Sequence, residues 1–267
     1  MLFVQQQESK QTLTNFLILF FSTVAIVNLQ ASQLNEIGKS SKSDSIAKIQ
    51  RELKARKIEL QFANKIPSFG YDNLVADLTF LNFIQYFGEE AAREKTGYSL
   101  SPDYFELILD RDPRFLNAYF LLSSSTSIFA GMPERTIAIM DEKLKLLSPK
   151  DPRRAYYIWR YKGVDELLFS GDLQAAKQSF EKAAEWASLY SDAESKNVAQ
   201  LSRQTAKYLA TNPDLTQAQI GGWQLVYNNA EDDRTRQIAI ERMEALGAIV
   251  SIDSNGRLTI AMPQPNN

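Results

Sequence analysis

The 267-residue chain contains no cysteine and no histidine. These two zeros exclude disulfides, thiolate zinc sites, iron–sulfur ligation, a cysteine nucleophile, an imidazole base and a Ser–His–Asp triad. Chemistry, if any, is left to carboxylates, lysine or tyrosine. An excess of one charge sign is also missing. Thirty basic residues face 32 acidic ones, for a net charge of −2. A general nucleic-acid binder shows a clear basic excess, so no nucleic-acid partner is expected. Gly131, Gly163, Gly171, Gly221, Gly222 and Gly247 fit neither phosphate-loop spacing, GxxxxGK[ST] or GxGxxG. Asp232, Asp233 and Asp253 form no DxDxDG calcium loop. The sequence therefore asks for no cofactor and no metal. The remainder is ordinary: 44% apolar and 23% charged residues, in a length that allows one large or two small domains.

Residues 1–35 hold one long apolar run, Leu13 to Leu29, interrupted by Thr14, Asn15, Ser22, Thr23 and Asn28. As a helix it reaches about 25 Å, against a hydrocarbon core of about 30 Å. Phe16 to Val27 would suit a signal-peptide core, but Lys10 is opposed by Glu8, and Leu29 occupies the −3 position of a cut after Ala31. The first reading is an uncleaved single-pass membrane anchor. A cleaved signal and an interfacial or buried helix are the alternatives. Lys10 before the run and Lys39, Lys42 and Lys48 after it favour a cytoplasmic body.

Residues 36–66 read as a basic linker and amphipathic helix. Eight basic residues oppose four acidic ones between Glu36 and Lys65. Ser40, Ser41, Ser43 and Ser45 mark a flexible start. Asp44 or Ser45 can cap a helix from Ile46, on which Ile46, Ile49, Leu53 and Leu60 share a face. That helix either docks on the main body or rests on anionic lipid.

From residue 67 to 247 apolar-periodic segments alternate with Gly, Pro and Asp-Pro breaks, which predicts antiparallel helix pairs. Gly70–Gly88 is a strong helix, followed by a loop to Ser99. Ser101–Pro113 is a second helix, with Ser101 as cap and Pro102 at its first position. Phe115–Pro149 gives a pair with Phe120, Ser124 and Gly131 at matching spacing and a second helix Pro133–Leu147. Tyr156–Trp186 gives the clearest pair. Helices are expected at Asp192–Ala210, Thr216–Ala230 and Asp232–Leu246, with Asp232 and Asp233 capping the last. In residues 248–267 the period changes. Ile249, Val250, Ile252, Leu258 and Ile260 around Ser254-Asn255-Gly256 predict a small β-hairpin, which needs a helix or a partner to pack on.

In the clearest pair Trp159 and Gly163 are four apart, Gly171-Asp172 breaks the chain, and Ala176, Phe180 and Ala183 follow. Gly163, Ala176 and Ala183 allow close approach of two helices, and Trp159 and Phe180 fill the space beside them. This pattern resembles the tetratricopeptide repeat. One departure is that eight residues, not seven, separate Gly163 from Gly171, which implies a first helix one residue longer. Thr136 and Lys143 stand where the Phe115–Pro149 unit should have alanines. The strings IPSFGYDNLVADLTFLNFIQYFG, TGYSLSPDYFELILDRDPRFLNAY, YYIWRYKGVDELLFSGD and DDRTRQIAIERMEALG also resemble a group of uncharacterised, membrane-anchored, tetratricopeptide-like proteins of cyanobacteria. That resemblance implies an all-α helical-repeat fold and a photosynthetic (thylakoid or plasma) membrane, and brings no catalytic residue with it.

Candidate site residues follow from chemistry and from the repeat pattern. Asp77, Leu81 and Gln85 share a helix face near the apolar side, so Asp77 either pairs with an arginine such as Arg160 or joins Asn82, Gln85 and Tyr86 in a polar strip that grips a partner. Tyr157 and Arg160 fall on groove-lining positions of the repeat pattern, and Tyr and Arg anchor interfaces. The alternative is that Tyr156, Tyr157 and Tyr161 pack between repeats. Together these residues point to a non-enzymatic scaffold or assembly factor with a protein partner in its groove. The rival readings are a periplasmic or lumenal enzyme using Asp77, and a stoichiometric subunit of a membrane complex. Removal of residues 1–35 should release the chain from membranes. A truncated chain that stays in the pellet through a high-salt wash would set the anchor aside.

Overall fold

The computed structural model describes residues 46–253 and 258–261. The apolar run Leu13–Leu29, the serine-rich linker, the caps Asp44 and Ser45, the Ser254-Asn255-Gly256 turn and the tail lie outside the described residues. The chain divides into two units, 1–49 and 50–267. Of the first unit only residues 46–49, the start of α1, are described.

The described chain is helical apart from one small sheet. In order it forms α1 (Ile46–Ala63), α2 (Asp72–Gly88), α3 (Glu90–Thr96), α4 (Ser101–Arg111), α5 (Leu116–Leu122), a π-helical turn Ser123–Phe129, and α6 (Pro133–Leu144). Then come α7 (Tyr156–Asp165), a second π-helical turn Glu166–Ser170, α8 (Leu173–Ala187), α9 (Ala193–Leu209), α10 (Thr216–Asn229) and α11 (Asp233–Ala245). Two antiparallel strands close the chain, β1 (Ile249–Ile252) and β2 (Leu258–Ala261), with Ile249 opposite Ala261. Among the described residues no helix is long and apolar enough to cross a membrane.

Local signals set most boundaries. The side chains of Asp172, Asp192 and Asp232 accept backbone N–H groups at the starts of α8, α9 and α11, meeting donors that a helix start leaves open. Proline in the first turn starts α4 and α6. Several boundaries differ from the sequence reading: α2 starts at Asp72, two residues past Gly70, and α4 stops at Arg111, two short of Pro113. The expected loop after Gly88 contains the short helix α3, ended by Gly97 in a conformation reserved for glycine (φ 60°, ψ −160°). Ser101 is the first residue of α4, one past its cap Leu100, and α6 stops at Leu144, three residues early.

Helices near in sequence pack in pairs: α2 with α4 across the short α3, α6 with α7, α7 with α8, α8 with α9, and α10 with α11. In α7–α8 the expected small residues lie at the seam. A Cβ on Gly163 would stand 3.2 Å from the Phe180 ring and from Ser179, and Ala176 and Ala183 are fully buried. Trp159 meets Trp186 edge-on. The extra residue between Gly163 and Gly171 is absorbed by the π turn at Glu166–Ser170, since a π turn is an α-helix widened by one residue. The α5–α6 unit corrects the sequence register. Its π turn runs into Gly131 (φ 63°), as the other runs into Gly171 (φ 69°). Aligning these glycines puts Tyr119 and Ser123, not Phe120 and Ser124, opposite Trp159 and Gly163. Tyr119 is fully buried, whereas Phe120 is half-exposed. Thr136 and Lys143 do occupy the small-residue positions, both buried. The Lys143 ammonium pairs there with Asp110 and Glu142.

The pair α10–α11 lies against the turns of the earlier pairs. A Cβ on Gly97 would fall 2.1 Å from an Asp232 carboxylate oxygen, one on Gly131 3.4 Å from Thr235, and one on Gly171 3.0 Å from Gln219. Gly222 brings α10 onto the second π turn, 3.2 Å from Leu168 Cβ. Trp223 packs there edge-on with Phe169 in a core with Ile220, Val226, Ala239 and Met243, to which the hairpin adds Val250, Leu258 and Ile260. The hairpin thus finds on the last helices the apolar support it needs.

Adjacent glycines give a sharp contrast. Gly221→Ala meets nothing within 4 Å and should raise stability by about 0.5–1 kcal/mol through helix propensity. Gly222→Ala crowds Leu168 and should cost about 1–3 kcal/mol. Gly97→Ala, strained and blocked by Asp232, should cost at least as much. Urea denaturation of the three variants checks the order.

Candidate functional surface

The six sequence-selected residues do not converge. On α2 the buried face is Ala76, Thr79, Phe83 and Tyr86. The opposite face carries Leu74, Leu78, Leu81 and Gln85 at spacings of four, three and four, flanked by Asp77, Asn82 and Ile84, all exposed. Asp77 is therefore on the solvent side. It makes no ion pair among the described residues, and Arg160 is not its partner. The helix is apolar nearly all round, so periodicity admitted either face. The aromatic rings decided it: Phe80, Phe83 and Phe87 gain contacts with Phe115, Phe105, Tyr98 and Phe129 that leucines could not match.

Tyr86 leaves the strip altogether. It is a core residue whose hydroxyl accepts the Leu100 N–H at 3.1 Å, and the Arg93 guanidinium lies 3.9 Å over its ring. Burial pushes its phenol up to about 12. Tyr157 and Arg160 are also occupied internally. Tyr157 donates to Glu194 at 2.7 Å, and Arg160 donates to Ser202 at 2.8 Å. Tyr156 meets Ser195 at 3.0 Å, and Tyr157 and Tyr161 stack. Burial, then the hydrogen bond to Glu194, raises the Tyr157 phenol. On this side of α7, Tyr156, Tyr157 and Arg160 are thus bonded to residues of α9. A cleft of about 250 Å³ lies between α1 and α4, lined by Leu60, Gln61, Asn64, Lys65, Asp103, Glu106 and Leu107. It includes none of the six.

A buried polar cluster escaped the sequence reading. Lys162 contacts Glu166 at 2.5 Å and Asp141 at 3.3 Å, and Ser179 donates to Glu166 at 2.6 Å. Beside them the Asp165 carboxylate accepts from Ser123, 3.0 and 3.1 Å away, at the start of the other π turn. Ser127 donates to Thr136 at 2.9 Å. Burial pushes the Asp165 carboxyl up to about 7; hydrogen bonds with Ser123 and Ser127 oppose the rise, and the Glu166 charge adds to it. The only sequence signal was a pair of carboxylates, Asp165-Glu166, on the apolar side of a helix. No group of three or more acidic side chains among the described residues is placed to hold a metal ion. The outer face of α2 stands open to a ligand, apolar with amide and carboxylate edges.

Comparison of the chain with protein-family models, with curated proteins and with solved structures finds no match. The residues and their geometry therefore carry the functional reading.

Asp165 sets a pH dependence. Folded, it holds its proton up to about pH 7, whereas unfolded it releases it near 3.8. Its contribution to stability is thus complete below about pH 4 and is lost as the pH rises toward 7, at up to about 1.4 kcal/mol per unit. Asp165→Asn keeps a neutral partner for Ser123. The variant should flatten the fall in Tm between about pH 4 and 7, as followed by circular dichroism.

Proposed function

We propose that this chain is a non-enzymatic, membrane-tethered scaffold or assembly factor that holds a protein partner on a stack of tetratricopeptide-like helix pairs. The successive pairs, and the matched π turns and left-handed glycines of α5–α6 and α7–α8, support the repeat reading. The apolar run at residues 13–29 supports the tether, with the body on the cytoplasmic side. The sequence resemblance favours a partner in a photosynthetic membrane complex.

One observation carries the docking part: Leu74, Leu78, Leu81 and Ile84 are exposed along α2, with no element over them among the described residues. A contiguous exposed apolar face marks an interaction site. Leucines at helical spacing, edged by Asp77, Asn82 and Gln85, suit an amphipathic helix of the partner laid alongside, its polar groups meeting the amide and carboxylate rim. The docking surface is then α2, in place of a groove lined by Tyr157 and Arg160.

Leu78→Asp with Leu81→Asp should cut partner recovery at least about tenfold after crosslinking and pull-down from native membranes, since apolar anchors dominate such contacts. Stability should change by no more than about 0.5 kcal/mol per site, as expected for surface positions. Undiminished recovery of the same partners by this variant would refute the assignment.

A further inference from the structure

The two sides of α1 differ in kind. Leu53 and Leu60 pack toward the core. On the other side Arg51, Lys54, Ile58 and Phe62 follow one another at spacings of three or four, all exposed, so they share one face; Lys65, just past the helix end, is exposed and borders the cleft between α1 and α4. Arg51, Lys54 and Lys65 have no carboxylate partner among the described residues. Lys57 at the flank pairs with Asp103, and the acids Glu52 and Glu59 lie about a quarter of a turn away from this face.

The turn from α1 to α2 continues this chemistry. The Arg111 guanidinium gathers it from inside: Nη2 donates to the carbonyl oxygens of Ala63, Asn64 and Ile66 at 2.9, 3.0 and 2.6 Å, and Nη1 donates to Asp72 at 3.1 Å. Hydrogen bonds from Ser68 and from Arg111 hold Asp72 below the usual carboxylate range. With its carbonyls drawn inward, the turn leaves Ile66, Phe69 and Tyr71 in water, Phe69 at 84% exposure and Tyr71 at 66%. Phe69 is also in the left-handed region, φ 52°. A bulky side chain rarely sits there unless the surroundings enforce it. The fold thus imposes strain at a residue whose ring touches solvent.

We propose that the outer face of α1 and the α1–α2 turn form a contact site for an anionic lipid bilayer. Arg51, Lys54 and Lys65 meet headgroup phosphates, and Phe62, Phe69 and Tyr71 enter the interfacial layer. Basic side chains interleaved with aromatic ones on a helix face are the signature of interfacial binding. Each basic group near an anionic surface strengthens binding about fivefold. Charge is what separates this face from the outer face of α2, which carries a carboxylate and no base. The proposal depends neither on protein docking at α2 nor on the segment 1–35.

Because the chain has no cysteine, a probe can be placed at one position of the full-length protein. Phe62→Cys, Phe69→Cys and, as control, Tyr208→Cys on α9 would each carry an environment-sensitive fluorophore. They would be mixed with phosphatidylcholine vesicles with and without phosphatidylglycerol. Emission from positions 62 and 69 should rise on anionic vesicles only, be quenched by lipids labelled in the acyl chain, and fall back in high salt, while position 208 stays unchanged. Charge removal at Arg51, Lys54 and Lys65 should weaken the response about fivefold per residue. Equal responses at 69 and 208, equal responses on neutral vesicles, or no response would each overturn the proposal. A rise without vesicles that grows with protein concentration would overturn it in favour of a second copy of the chain.

Discussion

The structure turns on the contact between the Asp232 carboxylate and Gly97. Asp232 caps α11 by accepting the Thr235 N–H at 3.1 Å and the Thr235 hydroxyl at 2.7 Å. The same side chain rests where any residue larger than glycine at position 97 would put its Cβ. One carboxylate therefore fixes the start of the last helix and its seating on the turn that precedes α4. The approach repeats at Gly131 and Gly171, so the final helix pair is laid across three turns, each kept free of a side chain. Close packing of this kind transmits a change of one methyl group, which is why neighbouring glycines of α10 play unequal parts.

Between the turns and the pairs lies a polar interior. Both π turns open toward it, and Ser123 of one is bonded to Asp165 beside the other. Lys162, Glu166 and Ser179 complete the cluster. Buried ion pairs add little net stability, because desolvation offsets much of their attraction. Removing one partner is costly, so such a cluster constrains how α5, α7 and α8 meet. Burial raises the Asp165 carboxyl to about 7, so below that pH it adds no charge to the cluster, in which the Lys162 ammonium faces Glu166 and Asp141.

Two outward faces remain, with different chemistry. That of α2 is leucine-rich with an amide and carboxylate rim, suited to a partner helix. That of α1 is basic and aromatic, suited to a bilayer surface. Arg111 ties the segment between them to α4 through four hydrogen bonds. In the proposed function each face would meet one neighbour, a partner helix at α2 and a bilayer at α1.

Caps, breaks and spacing were local, and these the sequence determined: Asp172, Asp192 and Asp232 at helix starts, Pro102 and Pro133 in first turns, and Gly163, Ala176 and Ala183 at a helix seam. The helical class, the order of the pairs and the hairpin follow from them, because caps and periodicity are properties of neighbouring residues. The outward face of α2 was decided only in three dimensions. Aromatic and leucine positions compete equally in a sequence apolar all round, and the choice depends on Phe105, Phe115 and Phe129 arriving from other helices. For the same reason Tyr157 and Arg160 were legible as interface-type residues, but not as residues already spent on α9. The π turns, the Asp165 cluster and the seating of α10–α11 on three glycines likewise belong to tertiary structure. Each joins residues far apart in the chain, and no pattern within one helix records the distance between two.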